Sequence, residues 1–161
     1  MLPLLHIDDS RHDRVLVREA IALSRTPFEY NGADGMESGV AYFEFYHRKT
    51  GPRPVLVLLD YDLGGYTGVD FIYWLRVLKK MSSISVVMLS GSVGESHIAQ
   101  CYAAGADFFL CKPGNLERLK LIVRTLHVHV VSHKQPGPIP LLKEYKAGPR
   151  ESAKTAVRIS C

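Results

Sequence analysis

Three short apolar runs without helical period limit what this chain can fold into: Leu2–Ile7, Val55–Leu59 and Ile84–Leu89. Each is rich in Val, Ile and Leu and bounded by turn residues, the pattern of strands buried on both faces of a parallel sheet. A fourth run, Phe108–Cys111, ends at Lys112-Pro113, and Phe28–Asn31 reads as a weaker strand near an edge. Amphipathic segments lie between them. Ser10 is suited to cap a helix reaching about Arg25, with Val15, Val17, Ala20, Ile21 and Leu23 on its apolar side. Residues 35–49, 68–80 and 94–104 read as three more helices, the last closed by Gly105, and a fifth starts near Asn115. Five alternations of strand and helix imply right-handed crossovers and an open, doubly wound α/β sheet.

Composition bounds the classes. With 161 residues, 47% of them hydrophobic, the chain can bury a core without disulfide staples and is not disordered over most of its length. No apolar run reaches the ~18 residues that cross a bilayer. Asp8-Asp9 interrupts the start before any secretory core forms, so a cytoplasmic protein without membrane insertion is expected. The net charge of +4 resides wholly in residues 134–161, which hold six basic and two acidic side chains. Residues 1–133 are therefore neutral and carry no footprint for direct nucleic-acid binding. Lys134–Pro140 contains three prolines and a glycine and cannot continue a helix. The expected organisation is a domain over 1–132, then a linker and basic tail over 133–161. Cys101, Cys111 and Cys161 form no Cys-x-x-Cys motif and are expected as reduced thiols.

In doubly wound sheets, functional groups gather beyond the carboxyl ends of the strands. The first strand delivers Asp8-Asp9, the third Asp60 with Asp62 two residues on, the fourth Ser90-Gly91-Ser92 and the fifth Lys112-Pro113. Carboxylates converging at one edge repel unless a cation joins them, and hard oxygen ligands suit Mg²⁺. A lysine and a small hydroxyl beside that cation would stabilise phosphoryl oxygens. Taken singly, each piece has a plain structural explanation: a helix-start acidic pair, a turn aspartate, a loop serine, a common dipeptide. Four at successive strand ends, in this order, are hard to obtain by chance. His6 is expected to pack beside the acidic pocket and Trp74 to sit in or near the core; His127, His129 and His133 carry no specific signal.

The stretches Leu4-Leu5-His6-Ile7-Asp8-Asp9-Ser10, Val55–Gly68 around Asp60, Val86–Gly91 and Ala104–Pro113 together resemble the receiver domains of two-component response regulators over roughly residues 2–131. The resemblance implies a flavodoxin-like fold with five parallel strands and five helices. It implies Asp60 as phosphoacceptor and Mg²⁺ held by Asp8, Asp9, Asp60 and the backbone carbonyl of Asp62. Ser90 would follow the phosphoryl group, Lys112 would be its counter-charge, and Phe109 the aromatic whose rotamer reports the change. The Lys112–Pro113 peptide would be cis. The implied partners are a sensor histidine kinase or phosphotransfer protein and a downstream protein target, with a homodimer among the arrangements allowed. The only catalysis implied is the protein's own phosphotransfer and autodephosphorylation. Two departures stand out: Gly64-Gly65 where the family usually has proline at the first position, and Phe109 in place of the more frequent tyrosine.

Three other readings compete. A haloacid-dehalogenase-type phosphohydrolase also uses an Asp-x-Asp, then a hydroxyl, then a lysine. Its metal-binding acids should follow the lysine, whereas here they precede everything. A receiver-like binding module independent of phosphorylation is opposed by the intact set of acids, serine and lysine. A flavodoxin-like cofactor binder would need hydroxyls and glycines where Asp8-Asp9 stands.

Overall fold

A computed structural model describes residues 1–48, 53–78, 81, 84–91, 94–132 and 158–159. The order of elements is β1 (Leu2–Ile7), α1 (Arg11–Ser24), β2 (Phe28–Ala33), α2 (Met36–Arg48) and β3 (Leu56–Leu59), then α3 (Gly68–Val77), β4 (Ser85–Ser90), α4 (Glu95–Ala104), β5 (Phe108–Cys111), α5 (Leu116–Ser132) and β6 (Arg158–Ile159). All strands pair in parallel in the order β2-β1-β3-β4-β5-β6. The expected doubly wound sheet is present.

The apolar runs are strands because both faces of the sheet are covered. Every residue of β3, β4 and β5 is buried, and five of the six in β1. Alternate side chains divide the core in two. Leu5, Ile7, Val57, Leu59, Val86, Met88 and Phe109 pack with Phe43 of α2, Phe71 and Leu75 of α3 and Cys101 of α4. Leu4, Leu56, Leu58, Val87, Leu89 and Leu110 pack with Val17 and Ile21 of α1 and Ile122, Val123 and Leu126 of α5. Each fully buried side chain of this size contributes about 1.5–3 kcal/mol. Trp74 packs partly buried against the first of these clusters.

Local signals set the helix ends. Ser10 Oγ accepts from Asp13 N at 3.3 Å and starts α1. Thr67 and Asp70 form a reciprocal capping box at α3, and Gly105 closes α4 in the left-handed region. α3 stops at Val77, short of the expected residue 80, because Leu78 turns to extended backbone although the apolar pattern runs on.

One expectation, that all three cysteines are reduced, is corrected. The five parallel strands and five helices are as expected, with a two-residue sixth strand beside them: Arg158–Ile159 pairs with Phe109–Leu110 of β5. Two residues are too short to show a period, so sequence patterning is silent there. Cys111 is disulfide-bonded, whereas Cys101 is a free buried thiol. Spacing along the chain does not report which segments the topology brings beside β5. The expected linker over 134–140 and His133 lie outside the described residues.

Candidate functional site

Chain order reverses direction across the sheet between β1 and β3, and there the acids meet. Ile7 is in register with Leu59, so Asp8 and Asp60 leave adjacent strand ends, and Asp60 N donates to Ile7 O at 2.9 Å. Asp8 is fully buried, Asp60 is nearly so, and Asp9 is exposed. One carboxylate oxygen from each of the three lies within 4.8 Å of the others. The segment after β1 is braced from α1. Ser10 N donates to Asp8 Oδ1 at 2.9 Å, and the Arg14 guanidinium donates to the carbonyls of Asp8 at 2.6 Å and Asp9 at 3.1 Å.

β4 and β5 deliver the hydroxyl and the lysine. Ser90 is buried, and its carbonyl accepts from Lys112 N at 2.7 Å. Lys112 Nζ stands 2.8 Å from Asp8 Oδ2, 2.8 Å from Asp13 Oδ2 and 3.3 Å from Asp60 Oδ2. Burial alone would lower the lysine's pKa. Hydrogen bonds that the ammonium donates to Asp13 and Asp8, with the charges of Asp60 and Asp8, reverse that and hold it above its ordinary value. Burial raises the Asp60 pKa; the Ser90 hydroxyl and Lys112 offset this only in part, and the Asp8 charge adds to it. Burial also pushes Asp8 upward, but His6 and Lys112 outweigh it and leave the carboxyl below its usual value.

His6 is the buried neighbour that β1 was expected to supply. Its Nδ1 is 3.4 Å from the Tyr30 hydroxyl and its Nε2 lies 3.5 Å from Asp8 Oδ2. Asp62 lies outside the carboxylate cluster, and its Oδ1 accepts from Gly64 N at 3.2 Å. Gly64 and Gly65 explain the missing proline: their φ values of 67° and 114° lie in the left-handed region, and proline is locked near −65°. Phe109 is fully buried, with its backbone N–H donated to the Tyr102 hydroxyl at 3.0 Å. Ser92 lies outside the described residues.

The Lys112–Pro113 peptide is not cis, which corrects the expectation drawn from the resemblance. An Xaa–Pro bond by itself favours trans by about 0.5–1 kcal/mol. The sequence reading missed Asp13 as a partner of Lys112, and Tyr102. An aspartate in a first helical turn is what the helix dipole favours anyway, so its type carried no separate signal.

The donor set fits a divalent cation. All three clustered groups are carboxylates, two of them buried, and like charges so close together are relieved by a cation between them. Around Lys112 and the braced β1 end stand four carboxylates, from Asp8, Asp9, Asp13 and Asp60, and Lys112 alone cannot neutralise them. A buried carboxylate, a lysine and a hydroxyl thus share one strand-end pocket, a set whose chemistry suits transfer of a phosphoryl group.

Known proteins are similar to this chain in sequence and in fold. The two-component response regulator ARR15 of Arabidopsis thaliana is 25% identical over 135 residues, which cover 76% of this chain and 62% of that protein. The chain therefore spans less than two thirds of that relative's length. The phosphorylated cyanobacterial phytochrome response regulator RcpA superposes with a TM-score of 0.72 at 26% identity, covering 82% of this chain and 95% of that one. The Mn(2+)-bound form of response regulator Rcp1 gives a TM-score of 0.65 at 26% identity, covering 80% and 93%. The family model for the response regulator receiver domain matches residues 4–124, a span holding every strand end that forms the pocket, and the chain belongs to that family.

Proposed function

We propose that this chain accepts a phosphoryl group on Asp60 from a phosphohistidine of a sensor histidine kinase or phosphotransfer protein, and signals by contact with a downstream protein. The observation that carries this reading is one geometry: Asp60 Oδ2 at 3.3 Å from Lys112 Nζ, with its carboxylate clustered within 4.8 Å of Asp8 and Asp9. A carboxylate oxygen of Asp60 attacks phosphorus, the P–N bond breaks, and the imidazole leaves with the electron pair. The product is an acyl phosphate on Asp60, later hydrolysed by water. Lys112 neutralises charge on the transferred oxygens, and the Ser90 hydroxyl donates to one of them. Mg²⁺, held by Asp8, Asp9, Asp60 and the Asp62 backbone carbonyl, supplies further positive charge when bound; the Mn(2+)-bound relative supports a divalent cation here.

Ser90 drawn toward the phosphoryl group leaves space into which Phe109 turns from the core, reshaping the surface around α4 and β5. The chain acts catalytically only on itself, and we place it in the cytoplasm. Among the described residues no helix is long and apolar enough to cross a membrane. Incubation with acetyl phosphate and Mg²⁺ followed by intact mass tests the reading. A gain of one phosphoryl group is expected. No gain favours a phosphorylation-independent module, and turnover of a generic aryl phosphate favours a phosphohydrolase.

Asp9→Ala is expected to weaken Mg²⁺ binding by about 10–100-fold, because a charged ligand is lost from a site with few protein ligands. Calorimetric titration measures it, and unchanged affinity removes Asp9 from the metal set. The tail beyond Ser132 supplies β6 but none of the groups assigned a role. Removal of residues 133–161 should therefore change the rate of phosphorylation by acetyl phosphate by less than about twofold. A large loss of rate would assign the tail to the site.

A further inference from the structure

Lys112 has one more carboxylate partner than the proposed chemistry uses. Asp13 Oδ2 is as close to the ammonium as Asp8, at 2.8 Å, and closer than Asp60 at 3.3 Å. Asp13 is not in the carboxylate cluster of Asp8, Asp9 and Asp60. This divides the acids into two groups. A cation held by the cluster takes up the charge of Asp8 and Asp60, which are the lysine's other two partners, and it repels the ammonium as well. Asp13 is the partner that the lysine keeps.

The pair is built into the fold. Asp13 N is bonded to Ser10 Oγ at 3.3 Å in the first turn of α1. Arg14, the next residue, grips the carbonyls of Asp8 and Asp9. The helix that carries Asp13 is therefore keyed to the segment that carries two of the proposed metal ligands. At the other end, Lys112 N is fixed on Ser90 O. Lys112 and Asp13 side chains are only 22% and 29% exposed, so the pair is less screened than one on an open surface.

We propose that Asp13 is a positioning residue: it retains the Lys112 ammonium beside Asp60 while a divalent cation occupies Asp8, Asp9 and Asp60. The inference rests on the reading of Asp60 as phosphoacceptor. Without Asp13 the ammonium has only Asp8 and Asp60 to bind, so it competes with the cation for both. With the cation present, the lysine is driven from the place where it would meet the transferred oxygens. Losing Asp13 thus weakens the metal and slows phosphorylation together, and both effects act through Lys112.

The test is a double-mutant cycle in the full chain, with Asp13→Asn made in the parent and in a Lys112→Met background. Mg²⁺ affinity is read by calorimetry and the initial rate with acetyl phosphate by intact mass. In the parent, Asp13→Asn should weaken Mg²⁺ binding and slow phosphorylation by about 5–10-fold each, whereas in Lys112→Met the Mg²⁺ change should fall below about twofold. Asp13→Glu should restore most of both, which a damaged helix start would not allow. Equal changes in the two backgrounds would reduce Asp13 to a general charge or structural effect and overturn the proposal. An unchanged or faster phosphorylation of Asp13→Asn would overturn it too. A parent protein that takes no phosphoryl group would instead refute the phosphoacceptor reading, and the Mg²⁺ arm would still decide whether Asp13 acts through Lys112.

Discussion

Asp60→Asn is expected to abolish phosphorylation by any donor while the fold is kept and, without metal, strengthened. An amide has the shape of the carboxyl but cannot act as the nucleophile. The stability gain follows from the direction of the Asp60 pKa, which burial raises above the ordinary aspartate value of 3.8. A raised folded pKa means that the folded chain binds the proton more tightly than the unfolded one. Stability therefore falls as pH rises from 3.8 through the folded pKa, and at neutral pH the whole penalty of the buried charge is present. The amide removes that penalty, and Lys112 still has Asp8 and Asp13. Metal-free Asp60→Asn should then melt a few degrees above the parent at pH 7, with the difference vanishing toward pH 4 and below. Intact mass and a pH series of thermal melts check the two halves separately. Phosphoryl label persisting on the variant would show that another residue carries the group. A lower melting temperature at pH 7 would show that Asp60 stabilises the fold through Lys112 rather than straining it.

The sheet was legible because strands buried on both faces leave continuous apolar runs, and Leu2–Ile7, Leu56–Leu59 and Ser85–Ser90 are such strands. The pocket was legible because a doubly wound sheet fixes which residues meet: those just past Ile7, Leu59, Leu89 and Cys111. What the sequence hid depended on the third dimension or on backbone angles. β2 extends to Ala33, but only Phe28 and Ala33 in it are buried, so no apolar run marks its end. The pairing of Asp13 with Lys112 joins residues 99 apart in sequence, and neither residue type singles out the other. In the sequence, Gly64-Gly65 stood out only as a departure from the proline usual in the family. Positive φ at both positions makes it a requirement of the turn that follows Asp60, where Asp62 accepts from Gly64 N. The trans peptide before Pro113 shows the reverse case, in which the family resemblance promised a detail that the structure does not have.

Gly68→Ala is expected to be the most damaging small substitution near the site. Gly68 opens α3, and its N–H donates to Tyr61 O at 2.7 Å, so the helix start lies directly against the backbone that follows Asp60. A Cβ at this position would collide with the Asp60 carbonyl oxygen, come within 2.8 Å of Met88 Cε and press on Leu59. Methionine can move aside; a backbone carbonyl at the end of a central strand cannot. Overpacking of a well-filled core costs about 1–3 kcal/mol, and a collision with backbone belongs at the upper end. For a chain of this size that corresponds to a fall in melting temperature of roughly 5–10 °C. The atom struck belongs to Asp60 itself, so relief of the clash must displace the residue proposed as phosphoacceptor. Mg²⁺ affinity and the rate of phosphorylation should fall along with stability. Gly114→Ala is the control, because nothing lies within 4 Å of a Cβ built there. Thermal melts of the two variants, with Mg²⁺ titrations beside them, separate close approach from the general cost of replacing glycine. A Gly68→Ala protein that melts with the parent and binds Mg²⁺ equally well would mean that α3 can slide along the sheet. The hydrogen bond to Tyr61 and the Thr67–Asp70 capping box hold it against such a slide.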